Sequence, residues 1–231
     1  MKKNIYYILT LLIIVIIVSA ALWFNNDTRK EKALIKQILP QAENIKLVEG
    51  ILDNSVIQEN FPAIEKVYSI NDTPAAFVTS GTGYEGVIKT LVVMDTEKKQ
   101  IAGIHILEQG DTPDYADPIM ETWFTDRFKG IGLFEYLNRV VLDPEKPTDI
   151  VQVTGASVSS QAVINNVNSA IGAWNYIVNN KIMGRVDNFI PQEMWEKDEN
   201  SFMIAWPENN SVRVTIEDLK TFPQVTTQTI L

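Results

Sequence analysis

From Ile5 to Phe24 the chain reads IYYILTLLIIVIIVSAALWF, uncharged and interrupted only by Thr10 and Ser19. A helix of about 20 such residues spans the roughly 30 Å hydrocarbon core of a bilayer, so residues 1–26 are expected to form one N-terminal transmembrane anchor in the lipid bilayer. The competing reading is a cleaved signal peptide, with Lys2 and Lys3 as its basic region and Val18-Ser19-Ala20 before a cleavage point. Signal-peptide cores usually run only about 7–15 residues, which favours the anchor. Charge alone does not orient it, because Lys2 and Lys3 are matched by Arg29, Lys30, Lys32 and Lys36 on the other side. A short stub before a long domain commonly stays inside. The soluble part is therefore expected on the extracytoplasmic side of the cytoplasmic (inner) membrane, as a single-pass protein.

Of the 231 residues, roughly 200 follow the anchor, about one domain's worth. A formal charge of -9 argues against nucleic acid as a partner, since a phosphate-binding surface shows clustered Lys and Arg. There is no cysteine, which removes disulfides, thiolate nucleophiles and cysteine-ligated iron–sulfur clusters together. Redox chemistry in this chain needs a borrowed cofactor. No Gly-x-Ser-x-Gly, Walker or His-Glu-x-x-His pattern is present, and the acids form no metal-ligand spacing. The single histidine, His105, lies in an alternating segment and reads as a strand-surface or partly buried residue rather than a base.

The segment Arg29–Leu39 places Ala33, Leu34, Ile35, Ile38 and Leu39 near one face before Pro40 stops it, which predicts a short amphipathic helix next to the bilayer, within a juxtamembrane segment 27–65. Strands are expected at Lys66–Ile70 and Ala75–Ser80 around an Asn71-Asp72-Thr73-Pro74 turn, with a break at Gly81-Thr82-Gly83. Val87–Met94 and Ile101–Leu107 flank a polar loop and predict a hairpin. Asp117-Pro118 has the N-cap and N1-proline pattern, and Ile119, Trp123, Phe124 and Phe128 then predict a helix of about three turns. Ile150–Val153 reads as a short strand, and from Ser159 a periodic run through Val163, Val167, Ala170, Ile171, Trp174 and Ile177 reads as a helix.

Thr154-Gly155-Ala156-Ser157 thus sits where a strand turns into a helix. Early helical N–H groups lack internal partners and the helix dipole adds partial positive charge there, so a phosphate would be at home beside Ser157. The hydroxyls of Thr154, Ser157, Ser159 and Ser160 could donate to it or simply cap the helix, and Gly155 and Ala156 leave room for a bulky partner. On spacing alone the helix cap is the favoured reading, because caps are common and phosphate sites are few.

Val153-Thr154-Gly155-Ala156-Ser157-Val158-Ser159-Ser160-Gln161-Ala162-Val163 resembles the flavinylation motif of the FMN-binding domain found in the G subunit of the Rnf electron transport complex (RnfG) and in the C subunit of the sodium-translocating NADH:quinone oxidoreductase (NqrC). Two further segments match in order. Gly81-Thr82-Gly83-Tyr84-Glu85-Gly86-Val87-Ile88 resembles the family's glycine-aromatic segment. Glu108-Gln109-Gly110-Asp111-Thr112-Pro113-Asp114-Tyr115-Ala116 resembles its Glu-Thr-Pro-Gly-Leu-Gly loop, followed by Trp123–Gly130 for a Phe-x-x-Gln-Phe-x-Gly stretch. The likeness covers roughly residues 1 to 180. It differs in Ser157 where the acceptor is usually Thr, in Val151 where an acid is usual, with Asp149 two residues upstream, in Asp111 where the proline loop has Glu, and in Asp114 and Ala116 at glycine positions.

The resemblance implies an α/β (α+β) fold, an FMN-binding domain at 66–180 with a twisted, mainly antiparallel sheet and flanking helices. It implies FMN bonded through its phosphate to Ser157 by a separate flavin transferase, with noncovalent FMN as the alternative. Thr154, Gly155, Ala156, Ser159 and Ser160 would surround the phosphate, while Tyr84, Glu108, Asp111, Thr112 and Pro113 would border the isoalloxazine. The chain would relay electrons within an ion-translocating Rnf-type ferredoxin:NAD oxidoreductase, beside other membrane subunits. A flavin carrier of another extracytoplasmic chain and a cofactor-free assembly subunit are the alternatives. Residues 181–231 exceed the family pattern and are expected to pack on the domain, with a helical piece at 188–195 and a strand at 211–216. Trp195 and Trp206 either finish a local core or seal a contact with another subunit.

Overall fold

The computed structural model describes residues 26–186 with their side chains, and two backbone segments beyond them, 201–205 and 211–215. The expected anchor, the helical piece at 188–195, Trp195 and Trp206 lie outside the described residues. Among the described residues no helix is long and apolar enough to cross a membrane.

Five strands form one antiparallel sheet in chain order: β1 (Lys46–Leu47), β2 (Ile64–Ile70), β3 (Thr73–Thr82), β4 (Val87–Asp95) and β5 (Gln100–Gln109). Asn71 and Asp72 both take left-handed φ, 51° and 65°, the geometry of a tight primed hairpin turn, and this fixes the β2–β3 register. The expected β4–β5 hairpin is present, with Lys99 at φ 53° closing its turn. The break placed at Gly81 comes two residues later. Gly81 and Thr82 pair with Ile88 and Val87, and the chain reverses over 83–86, closed by the Gly83 N–H donating to the Gly86 carbonyl at 2.7 Å.

Both faces of the sheet are covered, which is why β3 and β4 read as almost continuous apolar runs rather than alternating ones. Helix α1, residues 26–38, lies on one face, where Ile35 and Leu39 pack with Tyr68, Val78, Leu91 and Val93. Ala33 is exposed despite its place in the apolar pattern, while Glu31 is buried, accepting from Lys66 Nζ at 2.8 Å and from the Tyr68 hydroxyl. A buried carboxylate is tolerable there because two donors replace its water.

Helix α4 (Ser157–Asn179) covers the other face, burying Val163, Val167, Ala170 and Ile171 against Val67, Phe77, Ile88 and Val92. At 1.5 Å per residue it is roughly 35 Å long. It ends at Asn180, whose φ of 51° makes a left-handed cap. Buried asparagines fasten it: Asn166 donates to the Ile88 carbonyl at 2.9 Å, and Asn168 makes two bonds with the Leu137 backbone, 2.8 and 3.0 Å. The short helix α2 (Ser55–Asn60), capped by Asn54, closes the end near Asn180.

The expected three-turn helix after Asp117 is instead three single turns: a 3-10 turn Asp117–Met120, helix α3 (Thr122–Thr125) and a 3-10 turn Asp126–Phe128. Glu121 is extended, with ψ 150°, and breaks the run. The break lets Ile119, Phe124 and Phe128 all reach the core while Trp123 stays 44% exposed, its indole N–H donating to Glu121 at 2.6 Å. Asp117 caps nothing in its own turn; it accepts from Gln109 Nε2 at 2.7 Å and from the Asp114 N–H. Strands β6 (Asn138–Val140) and β7 (Asp149–Val151) pair in parallel and lead to α4, which opens at Ser157, two residues before the expected start. Beyond 186, β8 (Ser201–Ala205) and β9 (Ser211–Thr215) form an antiparallel pair at the position of the expected C-terminal strand.

Candidate flavin site at the start of helix α4

The polypeptide enters α4 through a turn in which Gly155 takes φ 83°, a left-handed conformation that glycine adopts without a steric penalty. Ala156 stands at the N-cap, where it has no side chain to offer, and no capping hydrogen bond is made. Among the described residues nothing accepts from the amide N–H groups of Ser157, Val158 or Ser159; the first satisfied amide is that of Ser160, bonded to the Ala156 carbonyl at 2.9 Å. Ser157 is partly buried and its hydroxyl has no partner among the described residues. Thr154 and Gly155 are exposed beside it.

Two of the four hydroxyls expected to face an anion are already committed. Ser160 Oγ is buried and accepts from the Val153 N–H at 2.9 Å, locking the strand-to-helix turn. Ser159 Oγ donates to Asp111 Oδ2 at 2.6 Å. They shape the site rather than face it, which leaves Thr154 and Ser157 as its free hydroxyls.

Asp111 is the hub. It is 5% exposed, and its carboxylate also accepts from the N–H groups of Tyr84 at 2.8 Å, Glu85 at 2.7 Å and Thr112 at 2.9 Å. Burial works to raise its pKa, but the bonds from Ser159, Tyr84, Glu85 and Thr112 outweigh it and hold the carboxyl below the ordinary carboxylate range. One side chain thereby ties the glycine-aromatic turn, the proline loop and the first turn of α4 together. The two loops touch through bare backbone: a Cβ on Gly86 would lie 1.8 Å from the Gly110 carbonyl oxygen.

Tyr84 is 51% exposed on this rim, Thr112 is partly buried and Pro113 is exposed. Glu108 is not brought to the site. It is opposite Lys89 in the sheet, on the face that carries Leu91 and α1, and lies 3.9 Å from the Lys89 ammonium, which also pairs with Glu65 at 3.0 Å. A β-bulge puts it there: Lys89 pairs with Glu108 but Thr90 with Ile106, so the extra residue, Leu107, turns Glu108 away from the face of Ile104 and Ile106. Asp149 does not replace the acid missing at Val151; it accepts from the Glu145 and Lys146 N–H groups and shapes the turn before β7. Asp114, where the resembling loop has glycine, takes φ 66°, a conformation that Asp tolerates better than most side chains.

Three residues not singled out by sequence reasoning border this site. The Tyr115 ring lies 3.8 Å from where a Gly155 Cβ would sit. The Arg127 guanidinium stacks on Trp123, 4.8 Å from the ring centroid, and donates to the Val151 carbonyl. Arg139 donates to Gln152 and, at 3.0 Å, to Gln161, so two guanidinium groups bracket the loop that carries Ser157. The arginines are separated from their partners by 13 to 24 residues of chain, and no local spacing announces them.

Residues 83–172 match the family model of the FMN-binding domain, a stretch that contains Tyr84, the 111–113 loop and the whole start of α4. Over that stretch the chain is similar to FMN-binding domains. A curated relative, the G subunit of the ion-translocating oxidoreductase complex of Buchnera aphidicola subsp. Baizongia pistaciae, is 30% identical over 92 residues, 38% of this chain and 42% of that protein. The chain thus spans about two fifths of the length of the curated relative it matches. Among solved structures, the C subunit of the Na(+)-translocating NADH-quinone reductase from Parabacteroides distasonis is 18% identical, with a TM-score of 0.40, over 59% of this chain and 76% of that one. NqrC of Shewanella oneidensis is 15% identical, with a TM-score of 0.42, over 62% and 84%.

The residues present fit an FMN phosphate. Among the described residues, this helix start has three unaccepted N–H groups, a serine hydroxyl without a partner and no side-chain cap, which is what an anion requires.

Proposed function

We propose that this chain is a membrane-anchored flavoprotein subunit that relays electrons through FMN esterified at Ser157, within an Rnf- or Nqr-type ion-translocating oxidoreductase complex. The observation that carries the reading is the uncapped start of α4 inside a stretch that matches the FMN-binding domain, with the Ser157 hydroxyl making no hydrogen bond among the described residues. The N–H groups of Ser157, Val158 and Ser159 bind the phosphate, and Thr154 stands exposed beside it. Asp111 holds the Tyr84 turn and the Thr112-Pro113 loop as the walls of the slot for the ring. FMN, when bound, supplies the electron chemistry; the protein supplies its position and electrostatic surroundings. The apolar run at 5–24 anchors the domain, other membrane subunits exchange electrons with it, and a flavin transferase makes the ester. Covalent attachment suits an extracytoplasmic domain, where lost FMN is not readily replaced.

The full chain, co-expressed with a flavin transferase, is expected to gain the mass of one FMN less water, with in-gel fluorescence that survives denaturation. Ser157→Ala is expected to abolish both while leaving the denaturation midpoint nearly unchanged, because the Ser157 hydroxyl makes no bond among the described residues. Covalent flavin persisting in that variant would refute Ser157 as the attachment point. Unmodified wild-type protein that retains FMN until denaturation would keep the site and remove the ester.

A further inference from the structure

The segment from Gly110 to Asp126 contains five carboxylates and no Lys or Arg. Asp114, Asp117 and Glu121 in it are exposed, as is Glu85 on the turn held by Asp111, and none of the four forms an ion pair among the described residues. The same surface exposes large apolar side chains: Tyr115 at 66%, Met120 at 51% and Trp123 at 44%. Monomeric surfaces seldom cluster such groups without use. Tyr115 adjoins Gly155, and Trp123 is linked through Arg127 to Val151, so the patch begins at the loop that carries Ser157. Of the two cations that follow the segment, Arg127 is occupied by the Trp123 ring and the Val151 carbonyl, and Lys129 pairs with Asp126 at 2.6 Å.

We propose that this patch is the docking surface for a redox partner protein that presents a ring of Lys and Arg around an apolar contact. The inference rests on the electron-relay reading and deepens it by assigning the face and the charge of the partner. Aromatic rings at a contact centre supply area at low entropy cost, and unpaired like charges around them steer an oppositely charged partner and reject a similarly charged one. The same carboxylates repel an anionic bilayer, which argues against a lipid surface as the occupant. Short-lived electron-transfer contacts are small and gain speed more than strength from such steering.

The test uses the full chain in zwitterionic nanodiscs, with and without flavin. It is titrated with cytochrome c as a lysine-rich probe and a plant-type ferredoxin as an acidic one, at low and near-physiological salt. Cytochrome c is expected to bind both forms, weakening by about tenfold as salt rises to roughly 0.15 M, with ferredoxin not binding. E85Q/D114N/D117N/E121Q and, separately, Y115A/W123A are each expected to raise the cytochrome c Kd by about tenfold. E43Q/E49Q/D53N/E59Q, an equal charge change elsewhere, should shift it by less than about twofold. Equal effects of the two charge sets, ferredoxin binding, or adsorption to anionic vesicles would each overturn the proposal. Binding is read without electron transfer, so a chain that docks cytochrome c but carries no flavin refutes the relay and leaves the surface standing.

Discussion

Asp111 shows how one residue can turn two loops and a helix start into a site. Its carboxylate takes four donors while almost fully buried, so each donor would be left without a partner if it were removed. Asp111→Asn keeps one acceptor oxygen but turns an amide NH2 toward backbone N–H groups, and is expected to cost about 2–3 kcal/mol in urea denaturation. The pH dependence has a definite sign. The folded carboxyl lies below its unfolded value of about 3.9, so its stabilisation is fully present above that pH and is lost as pH falls through the folded value. The difference in stability between wild type and Asp111→Asn should therefore be constant near neutrality and shrink below about pH 4. A gap that widened in acid would mean that Asp111 is protonated in the fold.

Among the elements, α4 carries the site at one end and is aimed by polar fastenings rather than by its apolar stripe alone. Asn168 reproduces a strand-like pair with Leu137, accepting from its N–H and donating to its carbonyl. Asn168→Ala should leave both Leu137 groups buried and unpaired, at a cost of about 2–4 kcal/mol. Asn168→Leu should not recover it, and a recovery would show that packing volume, not pairing, matters at that position. The hairpins and α4 were legible in the sequence because their signals are local: two turn residues that accept positive φ, an apolar run, a 3.6-residue period. The segment after Asp117 was not, because Ile119, Trp123, Phe124 and Phe128 satisfy a helical stripe on paper. The core has room for three of them, and Glu121 breaks the helix so that Trp123 can stay out. The site was half legible. The strand-turn-helix motif at Ser157 is contiguous, whereas the commitment of Ser159 to Asp111, the stray side of Glu108 and the two bracketing arginines are tertiary facts with no local trace.

At the scale of the whole molecule, the two helices sit on opposite faces of one sheet and divide the work. Over its described residues, 26–38, helix α1 is fixed to its face by Ile35, the adjoining Leu39 and the buried Glu31 between Lys66 and Tyr68. Burial pushes the Tyr68 hydroxyl pKa up, with the neighbouring Glu31 adding to it, so that hydroxyl stays protonated and donating at physiological pH. On the proposed topology, everything after α1 then lies outside the cytoplasm. The absence of cysteine makes this directly testable, since one introduced thiol is unique. Val141 is 61% exposed and tolerant of a small side chain. Val141→Cys should react with a membrane-impermeant maleimide in spheroplasts, and Lys3→Cys only after lysis. The reverse pattern would place the domain in the cytoplasm, where FMN is replenished and a covalent tether loses its rationale, and electrons would then have to reach the flavin from soluble carriers.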